Sequence, residues 1–408
     1  MIAWLLPSTL LAAALPPVSG GGFSEAGRLT AGSGHTCVLL GDRARCWGSN
    51  RSGQLGDGTR EDRSTPTPVV GLADAIEIVA GWEHTCARLR DRSVVCWGAN
   101  DEAQLGDGLP PEASRKELVL RRRRGDPMPA RLTPGPVVGL GPADRLVLAG
   151  STSCALVGGE IWCWGAAFSN RARDEPTPKP RRIAGFAGVE ELAVGGAFVC
   201  ARTGGQVTCA AEDPTTWSIE AAPSPLTGVD DAVALASGGG HLCVLRSSGG
   251  VTCFGGIRYR YDRDQDRREL AWRDPVPITE LTDAVALTSG WSHACALRRG
   301  GELRCWGGDL DGQLGHGLFQ PWRRPVAVLD VRKPRAVAGG SRHTCALSEG
   351  GAVLCWGAND TGQLGWEPPK VEVPELQPGR RGRDEATWQL REILRASATP
   401  VVALEPPT

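Results

Sequence analysis

The chain has 408 residues, and its 45 Lys and Arg nearly balance 46 Asp and Glu, so no global field draws it to nucleic acid or to an anionic membrane surface. Its 55 Gly and 30 Pro mark a chain rich in turns, and its 14 Cys point to an oxidising compartment. The length would allow two or three ordinary domains, but internal repetition overrides that expectation.

In chain order, residues 1–22 stand apart. Ile2 to Leu15 is apolar and is followed by Pro16, Pro17 and a run of small residues to Gly22. That core is shorter than the about 20 residues of a membrane span and fits a signal peptide, although the n-region has no positive charge beyond the terminal amine. Ala12-x-Ala14 or Val18-x-Gly20 offers a small-residue cleavage site. Export to a periplasmic, cell-surface or secreted location is the expectation. No second hydrophobic span follows, and no membrane span is expected in the mature chain.

From residue 23 onward, every cysteine belongs to a pair: Cys37/Cys46, Cys86/Cys96, Cys154/Cys163, Cys200/Cys209, Cys243/Cys253, Cys295/Cys305 and Cys345/Cys355. Three pairs are nine positions apart and bracket Gly41-Asp42, Gly158-Gly159 and Gly204-Gly205. A two-residue turn there sets the cysteines directly opposite each other in a hairpin. The other four pairs are ten apart, and Gly249, Gly301 and Gly351 fall at the third loop position, where a bulged hairpin needs a positive φ. Arg92 is the misfit at that position. Counted outward from the loop, each pair lands on a non-hydrogen-bonded site, within disulfide reach. Zinc is the rival, but no C-x2-C or histidine knuckle accompanies the pairs. One local disulfide per hairpin is expected, each contributing on the order of 2–3 kcal/mol by loop closure. No metal and no cofactor are expected.

The pairs sit inside a larger repeat. The second copy reads Ala80-Gly81-Trp82-Glu83-His84-Thr85-Cys86, then Cys96-Trp97-Gly98, Asn100 and Gln104-Leu105-Gly106. The first copy has His35-Thr36-Cys37, Cys46-Trp47-Gly48, Asn50 and Gln54-Leu55-Gly56; the sixth and seventh follow with His293, Trp306, Gln313 and His343, Trp356, Gln363. A-G-x-x-H-[ST]-C, C-W-G-x-N and G-Q-L-G together resemble the repeat of the regulator of chromosome condensation family, over residues 23–365 and a short C-terminal strand. The resemblance implies an all-β fold, a seven-bladed β-propeller. Closure can also be argued from the chain itself. A proline-led strand at Thr65 to Leu72 runs between repeats, and the first repeat has none before it. Ala398 to Leu404, with Pro400, is the missing piece, expected to complete the first blade and leave no open sheet edge. One domain over residues 23–408 is the expected result.

Five of the six histidines (His35, His84, His241, His293 and His343) share one repeat position, which points to one structural hydrogen bond per blade rather than to catalysis. Ser153 and Phe198 are read as its replacements in the third and fourth repeats. Trp47, Trp97, Trp164, Trp306 and Trp356 are read as blade core, with Ala210 and Phe254 in their place in repeats four and five. Gln54, Gln104, Gln313 and Gln363 belong to an inter-blade turn that repeats three to five lack. Asp309-x-Asp311-Gly312 resembles the start of a calcium loop without its remaining ligands and is read as that same turn.

Three insertions follow the second cysteine strand and should leave one face: 109–133, with Arg121 to Arg124; 256–274; and 366–396, with a short amphipathic helix expected from Asp384 to Ala396. The first is read as a solvated segment on its charge. The second holds Arg258, Tyr259, Arg260, Tyr261 and, near its end, Trp272, residue types enriched at interface hot spots. These five are the candidate partner-binding residues, and no catalytic residue is singled out. The functional expectation is an exported, monomeric propeller that binds an unidentified protein through one loop-rich face and is not an enzyme. The alternatives are a lyase or hydrolase with a facial pocket, and the guanine-nucleotide exchange implied by the family's archetype, which export and disulfides disfavour.

Overall fold

In the first repeat, Leu40 pairs with Arg43 across Gly41-Asp42, and the register carries Cys37 opposite Cys46 and His35 opposite Gly48. The computed structural model describes residues 27–109, 115–124, 126–170, 175–211, 223–255, 258–262, 267–271, 275–317, 322–367 and 399–400. Within them each repeat forms one four-stranded antiparallel sheet. Blade 1 consists of Leu29–Ala31, His35–Leu40, Arg43–Gly48 and Arg63–Pro68, in that spatial order. Blades 2 to 7 span residues 75–136, 145–182, 191–225, 232–277, 284–332 and 336–400. The protein is a seven-bladed β-propeller.

The proline-led segments are the outer strands of the blades they follow. Pro66 and Pro68 lack an N–H, which only an edge strand tolerates, and they blunt the outer edge against further pairing. The C-terminal strand, Thr399–Pro400, correspondingly pairs with the third strand of blade 7, Cys355 opposite Thr399. It completes the last blade, not the first, because blade 1 already has its own outer strand at Arg63–Pro68.

All seven expected disulfides are present. They join Cys37 to Cys46, Cys86 to Cys96, Cys154 to Cys163 and Cys200 to Cys209 in blades 1 to 4. In blades 5 to 7 they join Cys243 to Cys253, Cys295 to Cys305 and Cys345 to Cys355. In every blade the two cysteines stand directly opposite each other in the second and third strands, as the hairpin register requires. Their Cα–Cα distances of 4.0–4.1 Å are close to the short spacing of non-hydrogen-bonded antiparallel pairs. Cys253 is half-buried, and the other cysteines are buried.

Arg92 takes the left-handed conformation that glycine takes in its sister loops, with φ 70° beside 84–85° at Gly249, Gly301 and Gly351. Its guanidinium bonds the carbonyls of Pro142 and Ala143, each at 3.4 Å, and pairs with Asp144. These contacts offset a backbone cost of about 1 kcal/mol.

The apolar core is divided among the seams. Cys37, Leu39, Cys46 and Leu55 of the first repeat pack with Ile78, Ala87 and Trp97 of the second. Six further clusters of this kind follow around the ring. The last joins Cys345, Cys355 and Leu364 to Leu29, Val38 and Trp47, so the ring closes by packing blade 7 on blade 1. Each disulfide therefore lies in the seam toward the next blade, and each tryptophan toward the previous one.

Among the described residues, two insertions contain regular structure. Arg115–Arg124 is a helix inside 109–133, where the charge had suggested a solvated segment, with Glu117 accepting Arg124 at 3.2 Å. Within 256–274, Arg258–Asp262 and Arg267–Ala271 form a separate two-stranded sheet. The helix expected over 384–396 lies outside the described residues.

Candidate functional site

The repeated histidines build the seams. His35 Nε2 meets Thr85 Oγ1 at 3.0 Å, His84 meets Ser153 at 2.8 Å, His293 meets Thr344 at 2.8 Å and His343 meets Thr36 at 2.9 Å. Each of these hydroxyls also donates to a glutamine backbone carbonyl at 2.8–3.0 Å: Gln54, Gln104, Gln313 or Gln363. A hydroxyl has one proton to give, so the imidazole must be the donor, protonated at Nε2. The same carbonyls accept the indole N–H of Trp97, Trp164, Trp356 and Trp47 at 2.9–3.0 Å. The glutamine side chain shapes the turn that presents its carbonyl: Gln54 Oε1 accepts from Ser52 N at 2.9 Å. A Cβ on Gly32, Gly81, Gly238, Gly290 or Gly340 would lie 2.2–2.4 Å from the imidazole of the same blade, so the motif's glycine makes room for the ring.

Burial lowers the pKa of His35 and His241 to about 4 and of His84, His293 and His343 to about 3. Each stays neutral at physiological pH, and His35, His84, His293 and His343 serve as donors. A proton-transfer role near neutrality does not fit them.

The register corrects one assignment. Thr152, opposite Gly165, occupies the histidine position of the third repeat, and Ser153 is its hydroxyl residue. With that alignment the substitutions are coupled. Repeats three, four and five lack the G-Q-L-G turn, and the following blades carry Val199, Leu242 and Ala294 where a hydroxyl would need that carbonyl. Ala210 and Phe254 likewise replace a tryptophan whose N–H would have had no glutamine carbonyl, whereas blade 6 keeps Trp306 although repeat five lacks the turn. His241 is left over, its Nε2 buried without a partner. Among the described residues, the seams from blade 3 to blade 6 therefore lack the histidine–hydroxyl–glutamine lock that the other four possess.

A second feature lies at one mouth of the central channel. Backbone bonds link successive blades there: Ser33 N to Trp82 O at 3.2 Å, Trp82 N to Gly150 O at 2.9 Å, and Gly196 N to Gly239 O at 3.0 Å. The circuit continues from Gly239 N to Trp291 O, Trp291 N to Gly340 O and Ser341 N to Gly32 O, at 2.9–3.1 Å. Among the described residues no such bond joins Gly150 to blade 4. Trp82 and Trp291, from blades 2 and 6, reach over the channel until their rings are 4.9 Å apart, tilted by 56°. They are 41% and 40% exposed, whereas Trp47, Trp97, Trp164 and Trp356 are fully buried. Beside them opens a cleft of about 1030 Å³, walled by Ser52, Glu83, Asp101, Glu102 and residues 126–128 of the first insertion. Arg60 ties that insertion down through the carbonyl of Met128 at 3.0 Å.

The five candidate partner-binding residues are distributed as follows. Arg258, Tyr259, Arg260 and Tyr261 lie on the first strand of the extra hairpin, with Tyr259 opposite Leu270 and Tyr261 opposite Arg268. Trp272 lies outside the described residues. The two cleft tryptophans were not singled out from sequence, although Gly-Trp-x-His at Trp82 and Trp291 was a signal, since five of the repeats have Ser or Gly there. Asp309, read as a turn residue, accepts from Leu314 N at 2.9 Å as Asn50 does from Leu55 N at 3.0 Å. Among the described residues no group of three or more His, Cys, Asp or Glu is arranged to hold a metal ion. No helix among them is long and apolar enough to cross a membrane.

Comparison with known proteins bears on this architecture. Models of the regulator of chromosome condensation (RCC1) repeat match residues 46–88 and 301–347, and also 28–54, 75–104, 284–313 and 335–363. The chain carries RCC1 repeats at these positions. The RCC1 matches fall on repeats that keep His, Trp and the glutamine turn. The ultraviolet-B receptor UVR8 of Arabidopsis thaliana is 27% identical over 299 residues, 71% of this chain and 54% of that protein. The chain thus spans about half the length of that relative. Prp20p of Saccharomyces cerevisiae, whose structure was described together with its binding to Gsp1p and histones, is 19% identical over 84% of each chain, with a TM-score of 0.63. Human WBSCR16 is 21% identical over 79% of this chain and 86% of its own, with a TM-score of 0.62. At these identities the structural matches show the shared fold.

Proposed function

We propose that the protein is an exported, monomeric interaction module that binds another protein on the face carrying its insertions. The observation that carries this reading is the open cleft at the channel mouth, which exposes two tryptophans in a molecule that buries the others named above. Large aromatic side chains cost free energy in water and are enriched at interface centres. The hairpin with Arg258, Tyr259, Arg260 and Tyr261 follows the third strand of its blade, as the first insertion does, and with Trp272 it is included in the proposed surface. Export rests on the apolar segment 2–15 and on seven disulfides. The protein binding described for Prp20p agrees with a propeller used as a platform, and brings no partner identity with it.

The test is capture of a stoichiometric partner from the native secreted fraction, followed by cross-linking and mass spectrometry. Cross-links should fall on residues 82–83, 109–133, 256–274 and 291. Cross-links confined to the opposite face, which carries the short loops at Gly41, Arg92 and Gly158, would overturn the assignment.

A further inference from the structure

We infer that the cleft beside Trp82 and Trp291 binds a cationic side chain, a guanidinium or ammonium, presented by an extended polypeptide segment. This rests on the interaction-module reading and gives its partner a chemistry.

The first observation is the tryptophan pair. Two exposed indoles tilted by 56° form a wedge. The face of an indole attracts a cation through its quadrupole, and does so more strongly where water is partly excluded. The seat of the pair is built into the fold. Both tryptophans are held at N and O by the backbone circuit around the channel. A Cβ on Gly239 would lie 2.5 Å from the Trp291 ring, and one on Gly196 would lie 3.3 Å from it. Neither glycine has the positive φ that demands glycine. Their lack of a side chain is what lets the indole lie against the backbone of blades 4 and 5.

The second observation is the charge of the wall. Glu83, Asp101, Glu102 and Asp126 line it, against Arg51 and Arg60; Asp126 is paired with Arg124 at 3.1 Å, and Asp101 accepts from Gln104 at 3.1 Å. Arg60 donates to the carbonyls of Arg51 and Met128 at 2.9 and 3.0 Å, which holds it against the loop, and the carboxylates Glu83, Asp101 and Glu102 still outnumber the two guanidiniums. Glu83 directly follows Trp82, is exposed, and is positioned by the Ser52 hydroxyl at 2.9 Å. A carboxylate next to an aromatic face supplies both parts of a guanidinium site, a stacking plane and a charged acceptor. A neutral sugar could stack on one ring and donate its hydroxyls to the carboxylates, but it would lack the Coulombic attraction and the cation–π contact that a cation gains. The volume, about 1030 Å³, lies at the upper end of ligand clefts and exceeds what one small cation would fill. A peptide carrying the cation fits it better.

The experiment is titration calorimetry of the full protein with a short capped arginine peptide, and with the same peptide carrying citrulline. Citrulline keeps the shape and removes the charge. Saturable binding of the arginine peptide, weakened about tenfold by citrulline, is expected. Combined Trp82→Ala and Trp291→Ala should weaken it by a similar factor. Glu83→Gln, which keeps the size of the side chain, should weaken it severalfold and reduce its salt dependence. Val70→Ser, at an exposed site on the outer side of blade 1, should leave binding unchanged. Equal affinity for arginine and citrulline, binding of a neutral oligosaccharide in place of the peptide, or no binding at all would each overturn the cation site. If partner capture on this face persists in any of those cases, the interaction module stands while the cation site falls.

Discussion

His35 donates from Nε2 to the hydroxyl of Thr85 at 3.0 Å, across the seam between the first and second blades. Thr85 in turn donates a hydrogen bond to the carbonyl of Gln54 at 2.9 Å, and Trp97 donates to the same oxygen at 2.9 Å. A histidine, a hydroxyl, an indole and a turn thus act as one unit drawn from two blades. Each member satisfies a buried group of another, so loss of the turn removes the reason for the others.

Replacing Thr85 with valine keeps the volume but leaves the His35 N–H buried without an acceptor. A loss of about 1–3 kcal/mol is expected in urea-induced unfolding. An unchanged midpoint would mean that the seam bond contributes nothing to stability.

The reverse change is available at the fifth seam. His241 Nε2 is buried with no partner, facing blade 6, where Ala294 stands at the hydroxyl position. Ala294→Thr would supply that acceptor, while its own hydroxyl proton would lack the glutamine carbonyl available at the polar seams, so the net change in stability should stay within about 1 kcal/mol. Thermal melting measures it, and a large stabilisation would show that this seam holds a second acceptor.

Acid should weaken the fold through the same histidines. Burial depresses their folded pKa values from 6.5 to about 3–4. The unfolded chain therefore takes up protons first, as pH falls through about 6.5. The stability these groups contribute is fully present above that value and is lost progressively down to the folded pKa. Each contributes a slope of up to about 1.4 kcal/mol per pH unit in that window. His241→Phe should flatten the profile measurably, since Phe198 already occupies this position in blade 4 with its ring against Gly195. A melting temperature independent of pH between 6.5 and 4 would contradict the buried neutral imidazoles.

Peptide mapping without reduction should recover seven local bridges and no thiol, as the geometry requires. Changing Cys86 and Cys96 together to serine should cost about 2–3 kcal/mol. It would also place polar groups in an apolar seam, so the measured loss could be larger. Bridges between different repeats, such as Cys163 to Cys209 or Cys253 to Cys305, would be incompatible with the hairpin register.

Deleting residues 397–408 removes the outer strand of blade 7 and exposes the edge of Val353–Gly357. The seam between blades 7 and 1 should survive, because it is made by His343 with Thr36 and by Trp47 with Gln363. A lower melting temperature with an unchanged radius of gyration is the expected outcome in small-angle scattering. An expanded particle would show that the ring depends on its last strand.

The hairpins, their cross-links and the number of blades were legible in the sequence because they are local. Cysteines nine or ten residues apart around a glycine turn set the strand register without reference to the rest of the chain. The repeated His, Trp and Gln were legible as structural for the same reason: repetition around a ring assigns them a shared task. What the task was, and which partners each residue used, only the tertiary structure decided. Thr36 and His343 are 307 residues apart and meet because blade 7 returns to blade 1. Ser153 was misassigned by one position, which only the pairing of Thr152 with Gly165 corrected. The terminal strand was assigned to the wrong blade, since sequence order does not say on which side of a hairpin a proline-led strand pairs. Trp82 and Trp291 passed unnoticed because each alone is one aromatic in a turn. Their contact exists only once seven blades have closed around the channel and brought the two turns to its mouth.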